Sequence, residues 1–139
     1  MKDIVDLLGR FFISLIFFYE AYDSIFYFKD TLYKMQEYGL TWHPRFFLYL
    51  SIIFLVFGGI LVLLGYRSKL GAILLLIYWI PLTLIVHSWW NDPLEIRRIQ
   101  SILFMRNMAI AGGLLLLVVN GSQRFSVRRL FATTKVPGV

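Results

Sequence analysis

Residues 46–66 read FFLYLSIIFLVFGGILVLLGY, twenty-one consecutive positions without a charge. A bilayer's hydrocarbon core needs about 20 apolar residues in a helix, so this one stretch sets the fold class. Reading outward, the turn Arg67-Ser68-Lys69 leads into a second uncharged run over residues 70–90, with Pro81 near its middle and His87 close to its end. A third run, Ser101 to Gly121, carries Arg106 and Asn107 near its start. A fourth, Leu7 to Phe28, is interrupted by Arg10, Glu20 and Asp23. The expectation is an all-α integral membrane four-helix bundle, a single domain spanning residues 1–139, with both termini on the same side.

Composition agrees. The chain is 59% hydrophobic and 16% charged, against roughly 45–50% and 25% in an ordinary soluble domain. Its 139 residues cannot hide that much apolar surface in one small core. Zero Cys excludes disulfides, thiolate zinc and iron–sulfur ligation. With two His, His43 and His87, no protein-built metal centre is expected, and a haem held by that pair is disfavoured. In this setting the net charge of +6 reads as loop charge that orients the chain rather than as a nucleic-acid surface.

Counted by side, Lys2, Arg10, Arg67, Lys69, Arg124, Arg128, Arg129 and Lys135 lie with the termini, and Lys29, Lys34, Arg45, Arg97, Arg98 and Arg106 lie opposite. Eight against six places the termini in the cytoplasm. The tail 122–139, basic with interspersed Phe and Leu, suits an anionic leaflet. The N-terminal apolar run lacks a small-residue cleavage site and carries Arg10 and Glu20, so it reads as a retained span. Between the first two spans, Asp30 is expected to cap a short interfacial helix from Thr31 to Tyr38, ended by Gly39. Asn91 to Gln100, opened by Asn-Asp-Pro, reads as a polar loop. Gly58-Gly59 and Gly112-Gly113 read as close-packing sites, because paired glycines let helix backbones approach. The likeness of the two glycine segments also fits a duplicated two-helix unit.

Ionisable groups inside a span cost about 2.5–3.5 kcal/mol on insertion scales, so each needs a partner or a purpose. At 1.5 Å per residue, Glu20 lies roughly 12 Å and Asp23 roughly 7 Å from the outer end of the first span. Arg106 and Asn107 sit roughly 7–9 Å deep on the same side, and His87 about 4 Å. Glu20, Asp23, His87, Arg106 and Asn107 are therefore the candidate substrate-binding residues. Glu20 and Asp23 share a helix face at a spacing of three, and Arg106 is the cation at matching depth. An ion pair between them is expected, supported by Asn107 and the phenol of Tyr19 or Tyr27. The competing expectation is that this cluster only locks the first span to the last, and that His87 snorkels with Trp89 and Trp90. Arg10, near the opposite end, is expected to snorkel to the interface. No nucleophile–base set is visible and no carboxylate cage for a metal, so catalysis by this chain alone is not expected.

Several pieces together resemble the DoxX family: Gly9-Arg10 followed by Ser14 and Phe17-Phe18, the block Phe57 to Arg67, the element His87-Ser88-Trp89-Trp90, and Asn107 followed by Gly112-Gly113-Leu114-Leu115. The resemblance covers about residues 8–127. It implies a four-helix protein of the bacterial inner membrane, a small subunit of the kind associated with terminal quinol oxidase or with thiosulfate:quinone oxidoreductase. It further implies quinone or quinol as the non-covalent partner molecule, with other membrane subunits, or self-association, as protein partners. The chain departs from the family pattern at Phe54-Leu55-Val56, where an acidic residue is usual, and at Ser126-Val127-Arg128, where Ser-x-Asp is usual. Both departures weaken the transfer of a specific sulfur-oxidising activity. The alternative function is a non-catalytic accessory subunit that packs its apolar spans against a larger complex.

Overall fold

The computed structural model describes residues 1–121, so the basic tail 122–139 lies outside the described residues. The chain runs α1 (Lys2–Phe26), α2 (Phe28–Glu37), α3 (Pro44–Leu64), α4 (Ser68–Val86), a 3₁₀ turn at Trp89–Asn91 and α5 (Leu94–Asn120), with no strand among the described residues. Three stretches are long and apolar enough to cross a membrane: Pro44–Leu64, Ser68–Asn91 and Leu94–Asn120. The 25-residue α1 is also long enough, but Asp6, Arg10, Glu20 and Asp23 interrupt its apolar run.

Local chemistry explains the boundaries. Pro44 occupies the first turn of α3, where its missing N–H would have no partner in any case. Gly65 ends that helix in the left-handed conformation at φ 69°. The turn into α4 also holds Arg67 left-handed, at φ 48°, which costs a non-glycine residue conformational energy and is imposed by the tight reversal. A short helix does follow the first span and does stop before Gly39, whose φ is +93°. It begins at Phe28, however, and Asp30 lies inside it without capping it. Tyr27 alone separates it from α1. The Tyr27 amide bonds to Asp23 O and the Thr31 amide to Tyr27 O, so the second helix starts from the end of the first without a side-chain cap. The stretch 91–100 is also mostly helix, since α5 starts at Leu94 directly after Pro93. Arg97 donates twice to Asp92 O, at 3.3 and 3.0 Å, and ties this helix start to the preceding turn.

The long helices pack as antiparallel neighbours in the order α1, α3, α4, α5, while α1 meets α5 only over a short stretch. At the α3–α4 crossing the backbones nearly touch. A Cβ added at Gly71 would lie 2.8 Å from Gly58 O, and one at Gly58 would lie 2.8 Å from the Leu75 side chain. Against α1, a Cβ at Gly59 would lie 2.9 Å from the Phe18 ring, and one at Gly113 would meet Ile13 at 3.2 Å. At Gly112 it would meet nothing within 4 Å. The core runs along the middle of the bundle through Phe17, Leu55, Val62, Leu75, Trp79 and Leu114. There the rings of Phe17 and Trp79 meet edge-on, 5.0 Å apart. Outward faces stay apolar, with Ile53, Ile77 and Leu116 each more than half exposed, as suits a surface meeting lipid.

Arg10 does not snorkel. It is 1% exposed, its Nε donates to Asp6 Oδ2 at 2.9 Å, and its Nη1 donates to Leu63 O at 2.9 Å and Val62 O at 3.4 Å. These carbonyls belong to the last turn of α3, which carries the negative end of the helix dipole; that of Val62 also accepts from the Gly65 N–H at 3.2 Å. The cation fits that turn better than the interface because helix-end carbonyls and the Asp6 carboxylate engage its donors there.

Candidate functional site

The incomplete contact between α1 and α5 leaves a cavity of about 290 Å³ at the end of the bundle opposite Arg10, and α2 lies across its mouth. Each element contributes for a local reason. Spacing of three along α1 turns Glu20 and Asp23 onto one face. His87 terminates α4, whose C-cap it is. Arg106 and Asn107 follow one another on α5, so they diverge around the helix: Arg106 stands at the exposed rim, while Asn107 is 4% exposed and faces inward. All five residues singled out in the sequence line this one cavity. One wall is apolar, with Leu82, Ile85 and Val86 from α4.

The ion pair expected between the carboxylates and Arg106 does not form; among the described residues the salt bridge is Arg10–Asp6. The cavity lies among Glu20, Asp23, His87 and Arg106 and keeps Arg106 out of ion-pair reach of either carboxylate. Tyr19 and Tyr27 do not join the cluster either. Tyr19 is 64% exposed, one position and therefore about 100° around the helix from Glu20. Tyr27 is 55% exposed because α1 ends just before it. The phenols that line the cavity are those of Tyr78 and Tyr38. His87 is half-buried and tethered: its Nδ1–H donates to Gln100 Oε1 at 2.7 Å. That bond holds the ring against α5 instead of leaving it free in the aromatic belt around Trp89 and Trp90.

Beneath these groups Asn107 belongs to a buried layer whose other members, Thr83 and Trp79, sequence reading did not pick out. Asn107 Nδ2 donates to Thr83 Oγ1 at 3.3 Å, and Thr83 Oγ1 donates to Trp79 O at 2.8 Å. The indole Nε1 of Trp79 donates to Asn107 O at 3.2 Å. Pro81 sits inside α4 between Trp79 and Thr83, and its ring nitrogen cannot donate to Ile77 O. A threonine two positions beyond a mid-helix proline is the available signal for this layer. Its partner on α5 could not be read from either segment alone. Lys34 and Met35 of α2 are also cavity-lining residues absent from the sequence-based set.

Among the described residues no group of His, Cys, Asp and Glu is arranged to hold a metal. What the arrangement can do is accept and donate hydrogen bonds to a small polar group, with a hydrophobic wall at its side.

Three membrane-length helices and a polar cavity at one end of the bundle define a small helical membrane protein. The chain belongs to the DoxX family, whose model matches residues 5–88. It is 26% identical over 130 residues to inner membrane protein YqjF of Escherichia coli (strain K12), covering 94% of each chain. It is likewise 26% identical over 128 residues to inner membrane protein YphA of the same organism, covering 92% of this chain and 91% of that one. No solved structure is a significant match.

Proposed function

We propose that this protein is a small integral subunit of a quinone-linked oxidoreductase in the bacterial inner membrane. It crosses the bilayer four times with both termini in the cytoplasm, and its outer-leaflet cavity binds a quinol head group or relays its protons. The observation that carries this reading is the cavity itself, which gathers Glu20, Asp23, His87, Arg106 and Asn107 beside an apolar wall. A quinone needs that combination: hydrogen-bonding groups at its ring oxygens and an apolar path for its isoprenoid tail. At about 290 Å³ the space suits the ring, being at the small end of ligand pockets, roughly 300 Å³ and upward. The loose α1–α5 seam offers the tail a way out. When bound, the quinol supplies electrons and protons; Glu20 and Asp23 accept hydrogen bonds from its hydroxyls, and Arg106 stands at the rim. The relatives' inner-membrane names support the location.

A second reading keeps a specific observation in its favour. Arg10 shows that this bundle does use buried charge as a lock between helices, and the broad apolar exterior suits a partner as well as lipid. In that reading the chain is a non-catalytic accessory subunit packed against a larger complex. Gentle purification from native membranes followed by lipid extraction separates the two. Co-extracted quinone, lost in Glu20→Gln together with quinol-dependent turnover of the co-purifying enzyme, is the expected result. A constant large partner without quinone, and a Glu20→Gln chain that is only less stable, would establish the accessory role.

A further inference from the structure

The floor of the cavity fixes the direction of one amide. Thr83 is fully buried and Asn107 nearly so. A hydroxyl has a single proton to give, and that of Thr83 goes to Trp79 O at 2.8 Å. Toward Asn107, therefore, Thr83 Oγ1 can only accept, and the side of the amide facing it must be the NH₂ group, as the 3.3 Å contact from Nδ2 has it. The amide carbonyl, Oδ1, is thereby turned away from Thr83. It accepts no hydrogen bond from the described residues, and its residue lines the cavity. Trp79 holds the other end of the arrangement by donating to the backbone carbonyl of the same Asn107, which sets α5 in register with α4.

We propose that Thr83 is a positioning residue that presents Asn107 Oδ1 to the cavity as a fixed hydrogen-bond acceptor, so that the site selects a ligand carrying an O–H there: the hydroquinone form over the quinone. The proposal rests on the quinol reading of the cavity. A quinone oxygen has no proton to give and would face Oδ1 lone pair to lone pair, whereas a hydroquinone hydroxyl completes the bond. Glu20 and Asp23 add acceptors of the same preference from α1. If Thr83 could not hold the NH₂ group, the amide could rotate and offer either end, and its share of the discrimination would vanish.

Thr83→Val keeps the shape and removes the hydroxyl, while Thr83→Ser keeps the hydroxyl. The probes are a tail-less methoxylated hydroquinone, held reduced under anaerobic conditions, and its quinone, each titrated calorimetrically into the full chain in detergent. The wild type is expected to favour the reduced form by at least about three- to tenfold, the size of one neutral hydrogen bond. Thr83→Val should shrink that gap by about three- to tenfold and Thr83→Ser should restore it, whatever either does to thermal stability. Equal affinities in the wild type, or a preference undiminished in Thr83→Val, overturns the role of Thr83 and leaves the quinone-binding reading standing. Failure of both probes to bind the wild type overturns the two together.

Discussion

Arg10 is 1% exposed in a bundle whose surroundings are apolar, and a guanidinium in such a place must have its donors engaged. It does so by joining Asp6, one turn earlier, to Val62 and Leu63, which lie 52 and 53 residues away in sequence. Arg10→Met replaces the side chain with an uncharged one of comparable length. It would leave Asp6 and two helix-end carbonyls without this donor, and it should cost about 3 kcal/mol, the lower part of the range for breaking a buried pair. A thermal melt in detergent checks this. Arg10→Lys, a point charge without the forked geometry, should fall between the two. Ligand affinity in the cavity should be unchanged, because Arg10 sits at the other end of the bundle. A melt of Arg10→Met that matches the wild type would return this residue to the interface.

At the scale of elements, the α3–α4 crossing depends on two glycines, one of which the sequence hid. Gly58 belongs to a glycine pair that stands out in an apolar run, whereas Gly71 follows Leu70 singly at the start of the next span. A Cβ at Gly71 would lie 2.8 Å from both Gly58 O and the Leu61 Cβ, so Gly71→Ala must push two backbones apart. A loss of about 1–3 kcal/mol is expected, the usual cost of overpacking. Gly112→Ala, which meets open space, should be neutral or gain the few tenths to about 1 kcal/mol that alanine holds over glycine in a helix. Melting both variants side by side checks the contrast. The same logic explains what could be read in advance. Uncharged runs identify spans because nothing but lipid or protein can receive them, and Glu20, Asp23 and Arg106 were conspicuous because they interrupt such runs. The helical course of Leu94 to Gln100 was not legible: its Glu and Arg residues are good helix formers, but polarity after Asn-Asp-Pro resembles a loop. Thr83, Trp79 and the positions of Lys34 and Met35 depend on which helices become neighbours, and a single sequence does not record that.

For the whole molecule, the number of crossings turns on α1, the long helix that is not among the three most apolar stretches. Its charges no longer argue against it. Asp6 and Arg10 pair with each other, Glu20 and Asp23 face the cavity, and the outward positions Phe11, Phe12, Leu15, Tyr22 and Ile25 are apolar or aromatic. Packed antiparallel along α3, α1 brings Arg10 to the end where α3 turns into α4. At that same end a Cβ on Gly121 would lie 3.1 Å from the Lys69 side chain. The described chain therefore starts and finishes at one end of the bundle, while α2 and the Trp89–Asn91 turn occupy the other. With no native cysteine to give background, single substitutions can be labelled in intact and permeabilised cells. If α1 spans, Lys2→Cys and Lys69→Cys should react with a membrane-impermeant maleimide only after permeabilisation, and Glu37→Cys and Asp92→Cys before it. That sidedness is the one proposed above, in which eight basic residues of the sequence are counted with the termini against six opposite. If instead α1 lies along the surface, three crossings remain and Lys2→Cys must label with Glu37→Cys. That outcome would place Glu20 and Asp23 in the head-group region, where water reaches them, and would remove the reason for an enclosed cavity.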